Sequence, residues 1–282
     1  MIPQTPLSML TVGLAGLLVM SAPAAGQDRE FTRSVDLQPS GTLRLEGSKG
    51  SIRLTSWDRP QVDIRARIEL PDHEPADYAR QAVDATEIEV TTGSGSVSIR
   101  SNYDRVPTRD GRYRSGDRAV PAVHYEIRAP RRIDLHVNSD RGPATIQGFE
   151  GTIDIVVDRG ELDLRDAAGE VRLEIDRGER SRLSDLRGSL QIDADRTDLR
   201  IEAISLDRDS RIQADRGDID VHVAADQRLT LRTDISRRGH FDSDLPIQWM
   251  SMDPRRAEGH VNGGGPELRI DSDRARIELR RR

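Results

Sequence analysis

The sequence predicts an all-β protein, a single-stranded β-solenoid with one short capping helix, and three observations carry that reading. Apolar and polar residues alternate strictly in Ile133/Leu135/Val137, Ile153/Ile155/Val157, Val171/Leu173/Ile175, Leu190/Ile192/Ala194 and Ile219/Val221/Val223, the period of strands with one buried face. Asp-Arg-Gly turns recur at Asp140-Arg141-Gly142, Asp158-Arg159-Gly160, Asp176-Arg177-Gly178 and Asp215-Arg216-Gly217, with a variant at Asp195-Arg196-Thr197. Successive Asp residues are 18, 18, 19 and 20 positions apart. A second turn series, Gly151, Gly169 and Gly188, interleaves with the first at steps of 18 and 19. Two turn series sharing one period define a repeat too small to bury its own apolar face, so it must stack on copies of itself. Such a unit is long enough for one solenoid coil and too short for helix-pair repeats. The alternative is a β-sandwich, in which the same strands pair antiparallel.

Read in chain order, residues 1–26 form an export signal. Leu7–Met20 is an uncharged run of fourteen residues followed by the small-residue site Ser21-Ala22-Pro23-Ala24-Ala25-Gly26, too short to cross a bilayer as a helix. Cleavage near Ala24–Gly26 predicts an exported protein, periplasmic or extracellular, with no membrane span after the signal is removed. A retained anchor is the alternative, because the preceding MIPQTP carries no Lys or Arg. Residues 27–282 then read as one domain. Within it, 31–103 hold strands Phe31–Leu37, Thr42–Glu46, Ser51–Ser56 and Gln61–Leu70, which start the stack, and one helix, Pro75–Asp84, covering an open end. Residues 104–120 mix Pro, Gly and charge without periodicity and read as a long mobile loop. Regular repeats fill 121–235, and 236–282 contain an irregular insertion (Arg237–Gly265) followed by closing strands Glu267–Asp271 and Ala275–Leu279.

Composition narrows the function classes. Charged residues make up 33% of the chain but nearly cancel, 43 basic against 49 acidic, which argues against a nucleic-acid partner. The absence of cysteine removes disulfides, thiol catalysis and cysteine-bound zinc. With three Phe, two Trp and four Tyr, stacking platforms for bases or sugars are scarce.

In a stack the Asp-Arg-Gly turns superpose. Asp140, Asp158, Asp176, Asp195 and Asp215 then form one row about 4.8 Å apart, with Arg141, Arg159, Arg177, Arg196 and Arg216 beside it. The arginines neutralise a row that would otherwise repel itself, and Gly142, Gly160, Gly178 and Gly217 supply positive φ. The ladder is therefore read as structural; calcium is the functional rival, with Arg at every step a poor neighbour for it. No cofactor or metal is expected. His124, His136 and His222 alternate out of phase with the apolar residues and face solvent, and no HExxH, GxSxG or P-loop pattern occurs. The acidic pairs Asp207/Asp209 and Asp242/Asp244 are the candidates for acid–base chemistry, in a chain where chance pairs are common.

The run Val123-His124-Tyr125-Glu126-Ile127-Arg128-Ala129-Pro130, the early Trp57-Asp58-Arg59 and the closing Asn262-Gly263-Gly264-Gly265-Pro266-Glu267-Leu268 resemble the DUF4097 family of adhesin-like proteins across most of 31–282. The resemblance implies a bacterial, envelope-associated β-solenoid without agreed catalytic residues, some of whose relatives are linked to envelope stress. The expected function is a non-enzymatic cell-envelope binding or scaffold module with an envelope protein or polysaccharide as partner. A polysaccharide-processing enzyme and an envelope-stress regulatory partner are the alternatives.

Overall fold

The structure, a computed structural model, describes residues 28–69, 74–107, 120–178, 180–253 and 255–282. Residues 1–26, which read as an export signal, and residues 108–119 of the 104–120 loop lie outside the described residues. Of that loop, Val106 is buried and the Pro107 carbonyl accepts a hydrogen bond from Tyr78.

The first strands follow the sequence reading closely: β1 (Arg29–Asp36), β2 (Thr42–Gly47), β3 (Ile52–Trp57) and β4 (Gln61–Glu69). Helix α1 (Ala76–Ala85) starts at Pro75 and buries Ala79, Ala82 and Val83, a narrow apolar face of small residues that lets it lie close to the sheet. The hairpin β5 (Glu87–Gly93) and β6 (Ser96–Asn102) and then β7 (Ala122–Pro130) follow. The periodic region gives β8 (Asp134–Arg141), β9 (Ala144–Gln147), β10 (Glu150–Arg159), β11 (Leu162–Ile175), β12 (Arg180–Ala194), β13 (Asp198–Leu206), β14 (Ser210–Ala214) and β15 (Asp218–Val223). The last six strands are β16 (Leu229–Ile235), β17 (His240–Ser243), β18 (Ile247–Met252), β19 (Arg256–Val261), β20 (Glu267–Ser272) and β21 (Arg276–Arg281). Three of them occupy the stretch 237–265 that reads as irregular, because its strands are short and few of their side chains are buried, so no alternation marks them.

The strands join in one hydrogen-bonded network that runs as two ladders, and through the periodic region the chain crosses from one to the other at each turn. In the first, β2, β8, β10, the second halves of β11 and β12, and β14 pair in parallel: Leu43 faces Leu135, Ile155 faces Val137, Leu173 faces Ile155, Ile192 faces Leu173 and Ile212 faces Ile192. In the second, β3, β9, the first halves of β11 and β12, β13 and β15 do the same: Leu54 faces Ile146, Leu164 faces Ile146, Leu183 faces Leu164, Ile201 faces Leu183 and Val221 faces Ile201. Each apolar residue of the periodic region thus lies beside its counterpart one repeat later. Their inward side chains form one continuous core, with Leu135, Ile155, Leu164, Ile201, Val221 and Phe149 fully buried.

Among the described residues antiparallel pairing is confined to the ends. β1 and β4 extend the second ladder beyond β7, β5 extends the first beyond β6, and β18 and β19 extend the first beyond β16. Strands from near both termini are also tucked inward. β2 lies between β6 and β8 and β3 between β7 and β9, so these early strands do not begin the stack as the sequence suggests. At the other end β20 lies between β14 and β16, and β21 between β15 and β17. Local pattern holds no information on this interleaving, which depends on pairings made across long sequence separations.

Candidate functional site

The regular features on the surface of this scaffold are its turn columns. At the Asp-Arg-Gly turns the backbones of successive rungs bond directly, Gly50 N–H to Arg141 O (3.0 Å) and Gly142 N–H to Arg159 O (2.9 Å). Glycine serves two purposes here. Gly142 has φ 125° and Gly217 φ 118°, the left-handed region expected of them. Gly160 and Gly178 do not adopt positive φ, contrary to the sequence reading. A Cβ at Gly160 would lie 2.1 Å from the Gly142 carbonyl oxygen, so close approach of the next rung is what requires glycine there.

Above this backbone the charges interlock. Arg159 Nε bonds Asp158 on its own rung (3.2 Å) while its Nη2 reaches Asp140 on the rung before (2.8 Å). Arg177 repeats the arrangement with Asp176 (2.9 Å) and Asp158 (2.6 Å), and Arg196 with Asp195 and Asp176 (2.9 Å each). Arg141 begins the ladder against Asp140. The chain of contacts then breaks: Arg216 stays near Asp215 (3.8 Å), and Asp195 Oδ1 has no hydrogen bond among the described residues. Beyond the break, Arg274 holds both oxygens of Asp215 at 3.0 Å and pairs with Asp273. Asp273-Arg274 is a ladder member that sequence reasoning missed. It lacks the Gly and falls out of period because residues 224–266 intervene.

This bridging needs a donor fork, since each arginine spans two carboxylates with different nitrogens and a single ammonium cannot match it. The signal was available in the composition: of 43 basic residues, only Lys49 is lysine. Arg177→Lys should therefore lower the melting temperature nearly as far as Arg177→Gln, by a small amount in both, with the loss fading at high salt because these side chains are about half exposed. A lysine variant indistinguishable from wild type would remove the argument for the fork.

The carboxyl acidities follow from the same contacts. Desolvation, the largest influence on Asp158, raises it, but the hydrogen bond from Arg177 and the charges of Arg177 and Arg159 together hold it below the usual carboxylate range. Asp215 is lowered chiefly by the hydrogen bonds from Arg274. A carboxyl lowered in the folded state contributes stability above its unfolded pKa of about 3.9 and loses it as pH falls through the folded value. Asp158→Asn should thus be less stable than wild type at neutral pH, and the two melting temperatures should converge below about pH 4. A constant gap down to the acid limit would contradict this.

A second ionic cluster lies at the other turn series, where Arg131 bonds Glu150 (2.9 Å) and Asp166 (3.0 Å) and Arg187 reaches Asp166 (3.3 Å). Asp166 belongs to a column the sequence does not reveal. Gly148, Asp166, Asp185 and Ala203 all take left-handed φ (89°, 49°, 56°, 57°), stacked bulges spaced by 18, 19 and 18 residues. With four positions shared by three residue types, no motif marks them.

The aspartate oxygens of the ladder are largely occupied by guanidinium groups, and among the described residues no three His, Asp or Glu side chains are placed to hold a metal ion. The acidic pairs are dispersed too. Asp207 lies against Arg208, Asp209 accepts the Glu267 N–H, Asp242 pairs with Arg280 and Asp244 accepts the Arg281 N–H.

His124, His136 and His222 are half-buried, each beside a carboxylate: Glu69, Asp154 and Asp220 respectively. Only at His124 does a hydroxyl join, with Ser51 Oγ 2.9 Å from Nδ1 and Glu69 Oε2 2.5 Å from Nε2. Hydroxyl, imidazole and carboxylate stand in relay order on the outer face of the second ladder, beside a groove of about 410 Å³ lined by Arg53, Arg65 and Arg67. The Ser51 N–H, which could otherwise face a developing oxyanion, points to the imidazole instead (3.3 Å).

No family model matches the chain, and no curated protein does. Solved structures similar to it include a candidate cell adhesion protein from Clostridium sporogenes (TM-score 0.36, 10% identity, covering 91% of this chain and 100% of that one). Candidate adhesins from Parabacteroides merdae (0.31, 9%, covering 89% and 96%) and Bacteroides fragilis (0.27, 12%, covering 91% and 99%) are similar as well.

Proposed function

We propose that the chain is an exported, non-enzymatic cell-envelope protein that works as an adhesin-like binding or scaffold module and is folded as a β-solenoid of the DUF4097 type. The observation that supports this is the pair of parallel ladders in which each rung repeats the last. Along their turns runs a column of Asp and Arg side chains in mutual ion pairs, an extended regular surface suited to a polymer or a protein. Among the described residues no helix is long and apolar enough to cross a membrane.

The test is in-cell cross-linking and affinity recovery of the mature protein, with glycan-array binding and a screen for polysaccharide and ester cleavage. Recovery of an envelope protein or polysaccharide supports the reading. Turnover lost in Ser51→Ala, or in a folded Asp or Glu variant, defeats it. Amino-terminal sequencing of the exported product should begin after the site near Ala24–Gly26; a product beginning at Met1 would favour the anchor.

A further inference from the structure

The two ends of the stack are finished differently. At the amino-terminal end α1 connects β4 of the second ladder to β5 of the first and buries Val83 in the core. At the carboxyl-terminal end the first ladder stops at β18, which among the described residues pairs only with β19. β18 carries the exposed large apolar side chains of the described residues: Trp249 (37% exposed), Met250 (52%) and Met252 (63%).

Two features bear on what this edge meets. Trp249, Met250 and Met252 lie on a strand in which every position from 248 to 252 is exposed. The register with β19 also shifts between Trp249 and Ser251, a bulge that spoils the edge for another strand. An exposed apolar edge that offers no regular strand pairing suits a fluid medium that closes around it.

The charges beside the ridge indicate which medium. Arg255 lies where β18 turns into β19, and its carbonyl accepts the Ile235 N–H, which brings Arg237 and Arg238 to the same end of the ladder. Arg237, Arg238 and Arg255 are exposed and make no ion pair among the described residues, whereas most arginines of the ladders do. Of the acidic groups there, Asp253 accepts the backbone N–H groups of Arg255 and Arg256, Asp234 pairs with Arg256, and Asp273 pairs with Arg274. Uncommitted guanidinium groups flanking Trp and Met match the anionic headgroup layer of a bilayer, where the indole sits at the interface and arginine reaches phosphate.

We infer that the β18 edge is a peripheral membrane-docking tip that inserts Trp249, Met250 and Met252 into the interface of an anionic lipid bilayer. The inference rests on the envelope reading only in placing a bilayer within reach. Its test uses purified mature chain and lipid alone, so export or partner recovery can fail independently of it.

The experiment is flotation with vesicles of phosphatidylglycerol and phosphatidylcholine, compared with phosphatidylcholine alone. Wild-type chain should float with the anionic vesicles at low salt and remain behind with phosphatidylcholine. Arg237→Gln/Arg238→Gln/Arg255→Gln should lower the partition coefficient about a hundredfold. Met250→Ser/Met252→Ser should lower it about tenfold. Both variants should keep the wild-type melting temperature, since the substituted side chains are exposed. Absence of flotation at low salt, or flotation unchanged by both variants, overturns the inference. So does a concentration-dependent dimer in sedimentation that is lost in Met250→Ser/Met252→Ser, which would assign the ridge to a second copy of the chain.

Discussion

Ile155→Asp and Leu173→Asp should each destabilise the chain by about 4 kcal/mol or more, enough to leave little folded protein at 37 °C. Both side chains are buried in the first ladder, 0% and 3% exposed, and face each other across adjacent rungs. An aspartate there has no cationic partner inside the core, so it must either stay charged without compensation or take up a proton. Asp154 precedes Ile155 on the same strand and faces the opposite way, in register with His136, 3.5 Å away. Asp154→Ser should change stability by only about 0.5 kcal/mol. Urea unfolding checks all three, and equal midpoints would show the inward and outward faces to be wrongly assigned.

Gly169→Ala should have the next largest effect, a loss of about 3 kcal/mol. Gly169 has φ 116°, and a Cβ there would stand 2.2 Å from the Gly151 carbonyl oxygen on the preceding rung. β11 passes from the second ladder to the first at this point, so the clash cannot be relieved without separating two rungs that are paired on both sides of it. Gly95 is the control. Its φ is 71°, but a Cβ would meet nothing within 4 Å, and Gly95→Ala should cost only about 1 kcal/mol for the left-handed backbone. If the two alanine variants melt together, the glycine column reflects backbone conformation alone and not close stacking.

These contrasts show what could be read in advance. The inward alternation of Ile153, Ile155 and Val157, the spacing of the Asp-Arg-Gly turns and the position of α1 were visible because each is written locally, by a period, a motif or a helix start. The column through Gly148, Asp166, Asp185 and Ala203 was not, since left-handed backbone there is imposed by stacking on residues of different chemistry. The inward placement of β2, β3, β20 and β21 was hidden for another reason: strand order at the ends is decided by pairings such as Ile212 with Ile270, 58 residues apart. On the surface, the Asp and Arg of the regular ladder were legible as a row. The Ser51, His124 and Glu69 grouping was not, because it joins three strand regions and has no spacing of its own.

Nitroxide distances measure the central claim, that successive repeats stack as parallel rungs. The chain contains no cysteine, so labels can be placed cleanly at His136, Arg211 and Arg232 on the outer face of the first ladder. In register, His136 is followed by Asp154, Arg172, Gln191, Arg211, Arg269 and Arg232. At about 4.8 Å per rung, backbone separations should be about 19 Å for 136–211 and about 29 Å for 136–232, with 211–232 near 10 Å because β20 intervenes. A 211–232 separation of a single rung, or distances that do not grow with rung number, would contradict the account.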